Sequence, residues 1–298
     1  MKLNNIVILP MLAGLLLSQG CSKAESTTER VAYKMDEINT MDGGDLCPKV
    51  ASAKYHHHLI LVDATMALSP SQIKLIENLV LPEKYLETLA PWDRVTVMRL
   101  MDVKPVQNKP LFSKCRPRSG DPTSIHKIDK HNKWRESESD VSSIYRKLFV
   151  GGINDVIKEL ADPTLINDSE DRLNGSPIMG QIKEISRLPD LDFTKESGYQ
   201  SRKLTIVSDL AQNTERLPFY EYCSKTCPTW DSFKKMKKFK RWAKKALPDF
   251  GENIEIELIY LNKNFDPDIN KNLLDFWYDF FEDAGILAVD DRIESDAG

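Results

Sequence analysis

The chain has 298 residues, and its 41 Lys and Arg against 45 Asp and Glu give a formal net charge of −4. Hydrophobic residues make up 41% of the chain and charged residues 29%. These values exclude a disordered chain, a collagen and a multi-span membrane protein, and they favour a soluble globular protein with one or two domains. The slight acidity gives no reason to expect a nucleic acid partner.

The N-terminus has the pattern of an export signal. Residues 6–17 are mostly apolar, a run shorter than the roughly 20 residues that span a bilayer and typical of a signal peptide. The next residues, LSQGC ending at Cys21, resemble the lipobox of bacterial lipoproteins, although Ser18 stands where that motif usually has an aliphatic residue. The resemblance implies a signal peptide over 1–20 and lipidation of Cys21. An ordinary secreted protein and an uncleaved anchor are the alternatives.

The resemblance to lipoproteins also implies a location. Ser22 follows the Cys where an Asp would signal retention, so we expect an outer-membrane lipoprotein that faces the periplasm. Residues 21–45 are rich in small and polar side chains and predict a flexible tether.

The four remaining cysteines fit an oxidising compartment, because their number is even. Of the three possible connectivities we favour Cys47–Cys115 with Cys223–Cys227. A zinc site is less favoured because no second Cys or His pair follows at zinc spacing. The run at 56–58 is three histidines, which point alternately to opposite faces of a strand and are interpreted as a solvated strand entry.

Strand and helix patterns alternate along the rest of the chain. In chain order they predict strand 59–62, helix 70–80, helix 83–89, strand 94–103, edge strand 106–112, helix 140–160, helix 177–188, strand 204–207, strand 254–261 and helix 273–284. This alternation predicts an α/β domain over 46–290, a three-layer sandwich with a mostly parallel central sheet and helices on both faces, followed by a tail at 291–298.

Two of the predicted strands end in an aspartate. Asp63 follows the first strand and Asp209 follows the fourth, and ligands of parallel sheets bind beyond the carboxyl ends of the strands. Two carboxylates with nearby hydroxyls make an all-oxygen site for a hard cation such as Mg²⁺ or Mn²⁺.

Over about residues 54–285 the chain resembles the von Willebrand factor A (vWA) domain. The resemblance is carried by residues 61–63, 92–95, 175–178 and 206–209. That family has a metal-ion-dependent adhesion site written DxSxS, with a distant Thr and a distant Asp. By position, Asp63 and Thr65 match the first two letters, Ser176 stands at the Thr, and Asp209 at the second Asp.

The chain departs from the motif at Ala67, where the family has a metal-ligating hydroxyl. Ser69, two residues on, is expected to cap a helix instead. The resemblance therefore implies a degenerate metal site. The alternative is that Asp63 and Asp209 only hold loops through backbone amides.

Two segments look like insertions into the domain, at about 114–139 and 213–250. Within the second, residues 233–247 predict one basic amphipathic helix. One interpretation is a docking face for an acidic partner or anionic lipids, and the other is a solvated outer face. The candidate residues are Lys234, Lys238, Arg241 and Lys245.

The resemblance implies a non-enzymatic, lipid-anchored envelope protein that binds a protein partner in an adhesion, scaffold or assembly role. With Ala67 in place, such binding could also be metal-free and use the loops. One alternative is a metal-dependent phosphoryl-transfer enzyme with Asp63 as nucleophile, but Thr65 stands where that chemistry needs a second carboxylate. The other is a permanent subunit of an envelope machine.

Overall fold

The structure, a computed structural model of the chain, describes residues 44–48, 56–63, 65, 68–80, 89–100, 109–119, 138–162, 176–191, 193, 199–214, 217–223, 227–262 and 267–295. The chain divides into two units, Met1–Ala32 and Tyr33–Gly298, and every described residue lies in the second. The predicted signal peptide, Cys21, most of the tether and all but the last residue of the helix predicted over 83–89 lie outside the described residues. Within the described residues we find no helix of the length and apolarity that a membrane span requires.

A six-stranded sheet forms the centre of the domain. Its strands are β1 (His56–Asp63), β2 (Arg94–Leu100), β3 (Phe112–Cys115), β4 (Ser201–Ser208), β7 (Ile254–Asn262) and β8 (Val289–Ser295). Two short strands, β5 (Asn213–Thr214) and β6 (Leu217–Pro218), form a separate hairpin between β4 and β7. The sheet order is β3-β2-β1-β4-β7-β8, and β5 pairs only with β6. All neighbours in the large sheet are parallel except β2 and β3.

Helices cover both faces of this sheet. They are α1 (Pro70–Val80), α2 (Glu138–Ile144), α3 (Gly151–Ala161), α4 (Ile178–Ile185), α5 (Phe219–Tyr222), α6 (Trp230–Lys235), α7 (Lys240–Ala246) and α8 (Pro267–Asp283). Successive side chains of β1 point to opposite faces, as strand geometry requires. Leu59 and Leu61 pack with α4 and α6 to α8, whereas Ile60 and Val62 pack with α1 and α3. The predicted three-layer α/β fold is confirmed.

The sheet differs from the sequence prediction at both edges. The third strand is Phe112–Cys115 rather than 106–112, and it runs antiparallel to β2, so the first proposed insertion overlaps its end. The last strand, β8, extends to Ser295, where the sequence analysis places a tail after residue 290. At the other end, the backbone carbonyl of Asp45 accepts a hydrogen bond of 2.8 Å from the Cys115 amide. The domain therefore includes residues on both sides of the predicted 46–290.

The predicted helix at 140–160 continues through its glycine pair. A π-helical turn, Tyr145–Val150, joins α2 to α3 without a break in the helical backbone. Gly152 approaches the ring of Phe112 so closely that an added Cβ would lie 2.9 Å from Cε2. The glycine is needed there for contact with the edge strand.

The single basic helix predicted over 233–247 is two helices. Met236 adopts extended backbone angles (φ −63°, ψ 124°) and ends α6, and α7 begins only at Lys240. The amphipathic pattern still holds, because Phe233, Phe239 and Ala243 are buried in the core.

Both favoured disulfide pairings are confirmed. Cys47 bonds to Cys115 across a sequence separation of 68, and Cys223 bonds to Cys227 across 4. Structural disulfides of this kind indicate an exported protein in an oxidising compartment.

The histidine run is not a solvated strand entry. His57 is fully buried, and its Nε2 lies 2.8 Å from Thr96 Oγ1. Its ring packs on Phe193 at a centroid distance of 4.9 Å. Burial holds the pKa of His57 well below its usual range, and burial lowers the pKa of His58 to about 4. Both rings are therefore neutral near pH 7.

Candidate functional site at the carboxyl edge of the sheet

The candidate site lies where β1 and β4 end side by side. These parallel strands pair up to Val62 and Val207, so Asp63 and Ser208 come next to each other at the carboxyl edge. The chain leaves the centre of the sheet in opposite directions from these two strands, first to β2 and later to β7. Such a switch point is the usual ligand crevice of a doubly wound sheet.

Three hydroxyl groups converge on the Asp63 carboxylate. Thr65 donates to Oδ1 through its hydroxyl at 2.7 Å and through its amide at 3.1 Å. Ser208 and Ser176 donate to Oδ2 at 2.7 Å and 3.1 Å. Asp63 is 8% exposed, so these bonds replace most of the water that an ionised carboxylate would otherwise hold.

Ser176 reaches Asp63 because the loop before α4 is tied to the loop after β4. The Asn213 amide donates to the Ser176 carbonyl at 3.0 Å, which closes an antiparallel bridge. The Gln212 side chain accepts from the Met179 amide at 2.8 Å and so satisfies a free amide in the first turn of α4. The Ser176 hydroxyl also lies 2.8 Å from the Thr65 hydroxyl. The positions of Thr65 and Ser176 are thus mutually fixed.

Asp209 is bonded on the other side of the rim. Its Oδ1 accepts from the Ala211 amide at 3.1 Å, and its Oδ2 accepts from the Tyr220 hydroxyl at 2.7 Å. Burial, the charge of Asp209 and the hydrogen bond to it raise the pKa of Tyr220, and burial and Asp209 also raise the pKa of Tyr260. Both phenols remain protonated, so Tyr220 stays a donor to Asp209.

The turn after β4 holds an unusual backbone conformation. Leu210 has a φ of +55°, in the left-handed region that leucine rarely adopts. Its amide donates to Ser208 Oγ at 2.9 Å, and its carbonyl accepts from the Trp277 indole at 2.9 Å. These two bonds offset the cost of the conformation, and they set where Ser208 and Asp209 point.

The donor set fits a hard cation. Asp63 and Asp209 offer carboxylate oxygens, and Thr65, Ser176 and Ser208 offer hydroxyl oxygens, the ligand types that Mg²⁺ and Mn²⁺ prefer. Among the described residues, no group of three His, Cys, Asp or Glu could hold a metal. A cation at this edge would therefore depend on the hydroxyls as well as on the two carboxylates.

The motif position that departs from the family lies outside the described residues. Ala67 is not described, but Ser69 is, and it performs the capping role expected from the sequence. Its Oγ accepts from the Gln72 amide at 3.2 Å, and the Gln72 side chain accepts from the Ser69 amide at 2.9 Å. This reciprocal pair commits Ser69 to α1.

The structure brings Asp63, Thr65 and Ser176 together, with Asp209 on the adjoining turn, but it places the basic candidates elsewhere. Lys234 forms ion pairs with Asp231 at 2.9 Å and Asp283 at 3.1 Å. Of the other three, Lys238 lies between α6 and α7, and Arg241 and Lys245 lie on α7.

Sequence reasoning missed Ser208 and Tyr220 as members of the site. Ser208 had a usable signal, because it stands between the predicted strand 204–207 and Asp209. Tyr220 had none, because its contact with Asp209 depends on the fold of α5.

Comparison with solved structures gives a likeness of fold. No family model matches the chain, and no curated protein matches it. A solved von Willebrand factor type A chain from Catenulispora acidiphila is similar over 82% of this chain, with 10% identity and a TM-score of 0.36. The match spans 39% of that chain, about two fifths of its length. The fold assignment therefore rests on the strand order and register of this sheet.

Proposed function

We propose that this chain is a lipid-anchored envelope protein whose α/β domain binds a protein partner through the carboxyl edge of its sheet. The observation that carries the proposal is the convergence of Thr65 and Ser176 on Asp63. These are the positions at which the vWA family, which the sequence resembles, has its adhesion motif. The role is adhesion, scaffolding or assembly rather than catalysis.

In this proposal the rim holds Mg²⁺ or Mn²⁺ when it binds its partner. Asp63, Thr65, Ser176 and Asp209 would be the ligands, directly or through water, and Ser208 would hold Asp63 in place. Hydroxyl groups that donate to Asp63 keep lone pairs for a cation. A bound cation would supply the positive centre that an Asp or Glu of the partner completes. The missing hydroxyl at Ala67 predicts weaker binding than an intact motif would give.

Binding fits the geometry better than phosphoryl transfer. Both oxygens of Asp63 accept hydroxyl hydrogen bonds, which makes Asp63 a poor nucleophile. Hydrogen bonds to an ionised carboxylate stabilise its charge and so lower its nucleophilicity. Thr65 also occupies the position at which that chemistry uses a second carboxylate as acid and base.

The anchoring part of the proposal rests on the LSQGC sequence that ends at Cys21. The two disulfides support an envelope location, because they agree with folding outside the cytoplasm. Lipidation of Cys21 would hold the domain at a membrane that faces the periplasm. Mass spectrometry of the protein purified from a bacterial envelope would show a diacylated or triacylated N-terminal Cys21.

The binding part can be tested with Mn²⁺ as the probe. The sheet, both core clusters and both disulfides lie within residues 44–295, so a disulfide-intact fragment 22–298 retains every described element. Free Mn²⁺ would be measured by electron paramagnetic resonance in the presence of this fragment. We expect one site per chain, weakened at least tenfold by Asp63→Asn and by Ser176→Ala.

Asp155→Asn is the matched control, because Asp155 is an exposed carboxylate on α3. A peptide that carries a single Asp or Glu should bind the Mn²⁺-loaded fragment more tightly than the EDTA-treated one. If Asp63→Asn still binds one Mn²⁺ per chain, the metal lies elsewhere. If the acidic peptide binds equally well with EDTA, the binding does not depend on a metal.

A further inference from the structure

Positive charge is concentrated in one stretch of an acidic chain. Residues 230–247 hold eight Lys and Arg and one Asp, whereas the whole chain has a net charge of −4. We call residues 234–245 the basic segment. The eight cations are Lys234, Lys235, Lys237, Lys238, Lys240, Arg241, Lys244 and Lys245.

Most of these cations are exposed. Only Lys234 is half-buried and paired, through Asp231 and Asp283. For five others, no carboxylate within the described part of the chain lies at salt-bridge distance: Lys235, Lys237, Lys240, Arg241 and Lys244. Their positive charge is therefore available to a ligand outside the domain.

The apolar side of the same segment is already occupied. Phe233 stacks on Phe239 at 4.2 Å, and both are buried in the core together with Ala243 and Ala246. The segment has no free apolar face that could insert among acyl chains. Any membrane contact it makes must be electrostatic and must lie at the level of the headgroups.

Contacts place both ends of the basic segment toward the amino edge of the sheet. Lys234 pairs with Asp283, the last residue of α8, which returns from the carboxyl edge to the amino edge before β8. At the other end, the Lys245 carbonyl accepts from Lys183 near the end of α4. The Asp249 amide donates to Ser186 Oγ at 2.9 Å just beyond.

Two more cations belong to this surface. Lys183 lies on α4 beside the exposed Arg187, and burial together with the charges of Arg187 and Lys245 lowers the pKa of Lys183. Burial is the largest cause of this shift, and the Glu184 carboxylate acts against it. Lys183 and Arg187 add two cations beside the end of the basic segment.

The chain enters the domain at the same edge. The Asp45 carbonyl accepts a hydrogen bond from the Cys115 amide, and Cys115 lies opposite Arg94, the first residue of β2. Arg94 pairs with His57 of the neighbouring strand β1. Asp63 lies six residues further along β1, about 20 Å from His57. The tether from Cys21 thus joins the domain at the edge remote from the candidate site.

We propose that the basic segment docks on anionic phospholipid headgroups and holds the domain with its amino edge toward the membrane and the Asp63 rim toward the periplasm. The proposal rests on the lipid anchor of the proposed function, which would bring the domain within reach of such a surface. If the roughly 24 residues from Cys21 to the domain form the flexible tether that the sequence predicts, they would span roughly 25–30 Å. An oriented domain would present its rim to partners instead of tumbling on the tether.

The test uses the fragment 22–298, which lacks Cys21, so that electrostatic docking is measured apart from lipidation and from metal. Binding to large vesicles of phosphatidylcholine, with or without phosphatidylglycerol, would be measured by co-sedimentation in EDTA. Each Lys or Arg near an anionic surface contributes about fivefold in affinity. We therefore expect the fourfold variant Lys237→Gln, Lys240→Gln, Arg241→Gln, Lys244→Gln to lose binding by about a hundredfold or more.

A matched variant, Lys74→Gln with Arg146→Gln, Lys147→Gln and Lys158→Gln, also removes four cations, which lie on α1, the π-helical turn and α3. It should bind the anionic vesicles like the unmodified fragment, and high salt should abolish binding in both. Thermal unfolding of every variant would check that the fold is kept.

Equal binding to neutral and anionic vesicles would overturn the proposal, as would anionic binding that the fourfold variant retains. Soluble polyglutamate is included as a second probe. If it binds the segment while the vesicles do not, the ligand is an acidic protein and the membrane proposal is wrong. Failure of Cys21 lipidation would instead contradict the anchor alone.

Discussion

The hydroxyl of Ser208 donates a hydrogen bond of 2.7 Å to Oδ2 of Asp63, across 145 positions of sequence. The same hydroxyl oxygen accepts from the Leu210 amide at 2.9 Å. One buried side chain therefore links the candidate ligand at the end of β1 to the strained turn after β4.

Ser208→Ala should destabilise the domain by about 1–3 kcal/mol, because it leaves the Leu210 amide without its buried acceptor. Urea unfolding would measure the change in the free energy of unfolding. The control is Ser232→Ala, at an exposed serine of α6 whose hydroxyl donates only to the Thr229 carbonyl, where water can replace it. This control should change stability by less than about 0.5 kcal/mol. Equal effects of the two substitutions would mean that the Ser208 bonds contribute nothing net.

Tyr220→Phe should affect stability and metal binding in opposite directions. It removes the donor to Asp209, which should cost about 1 kcal/mol of stability in EDTA. It also frees Oδ2 of Asp209 for a cation, so Mn²⁺ should bind more tightly than in the unmodified fragment. Titration of Mn²⁺ into both proteins would measure this, and weaker binding by Tyr220→Phe would argue that Tyr220 positions Asp209 for the metal.

The two disulfides should contribute unequally. In the chain-entropy description, a bond that closes a longer loop restricts the unfolded chain more. Replacing Cys47 and Cys115 by Ala should cost about 4 kcal/mol, and replacing Cys223 and Cys227 about 2 kcal/mol. Urea unfolding of the two double variants would measure both losses of stability. A larger loss on removal of Cys223–Cys227 would contradict the prediction.

Stability should fall as the pH drops below about 6.5, the usual pKa of histidine. The pKa of His57 is well below its usual range and that of His58 is lowered to about 4, so the unfolded chain takes up protons before the folded one. Each of the two histidines then lowers the free energy of unfolding by about 1.4 kcal/mol for each pH unit that the pH falls. His57→Gln should reduce the slope between about pH 6 and 5 by that amount. An unchanged slope in urea unfolding would mean that His57 is protonated in the folded state.

The interior of the fold was predictable because its strands are short runs of apolar residues. Leu204 to Val207 is such a run, and it lies within β4 as expected. β8 was missed because its sequence, VDDRIES, carries four charged residues and reads as a tail. Only its pairing with β7 makes it a strand, and that pairing depends on tertiary structure.

The same distinction applies to the candidate site. Asp63 and Asp209 could be picked out because each follows a strand, and the carboxyl ends of parallel strands meet. The burial of His57 could not be predicted, since it depends on Phe193 and Thr96, which are far away in sequence. The split of the basic helix at Met236 likewise leaves no mark on the amphipathic pattern.

Metal binding at this edge of the sheet is tested most directly by thermal unfolding of the disulfide-intact fragment 22–298 in EDTA, Mg²⁺ or Mn²⁺. A ligand at 100 times its dissociation constant stabilises by about 2.7 kcal/mol, which should raise the midpoint by roughly 5–10 °C for a domain of this size. In millimolar Mn²⁺ we expect a rise of this order that Asp63→Ala and Asp209→Ala abolish and Asp155→Ala keeps. An unchanged midpoint in the unmodified fragment, or an equal rise in all variants, would contradict a metal-dependent binding site at this edge of the sheet.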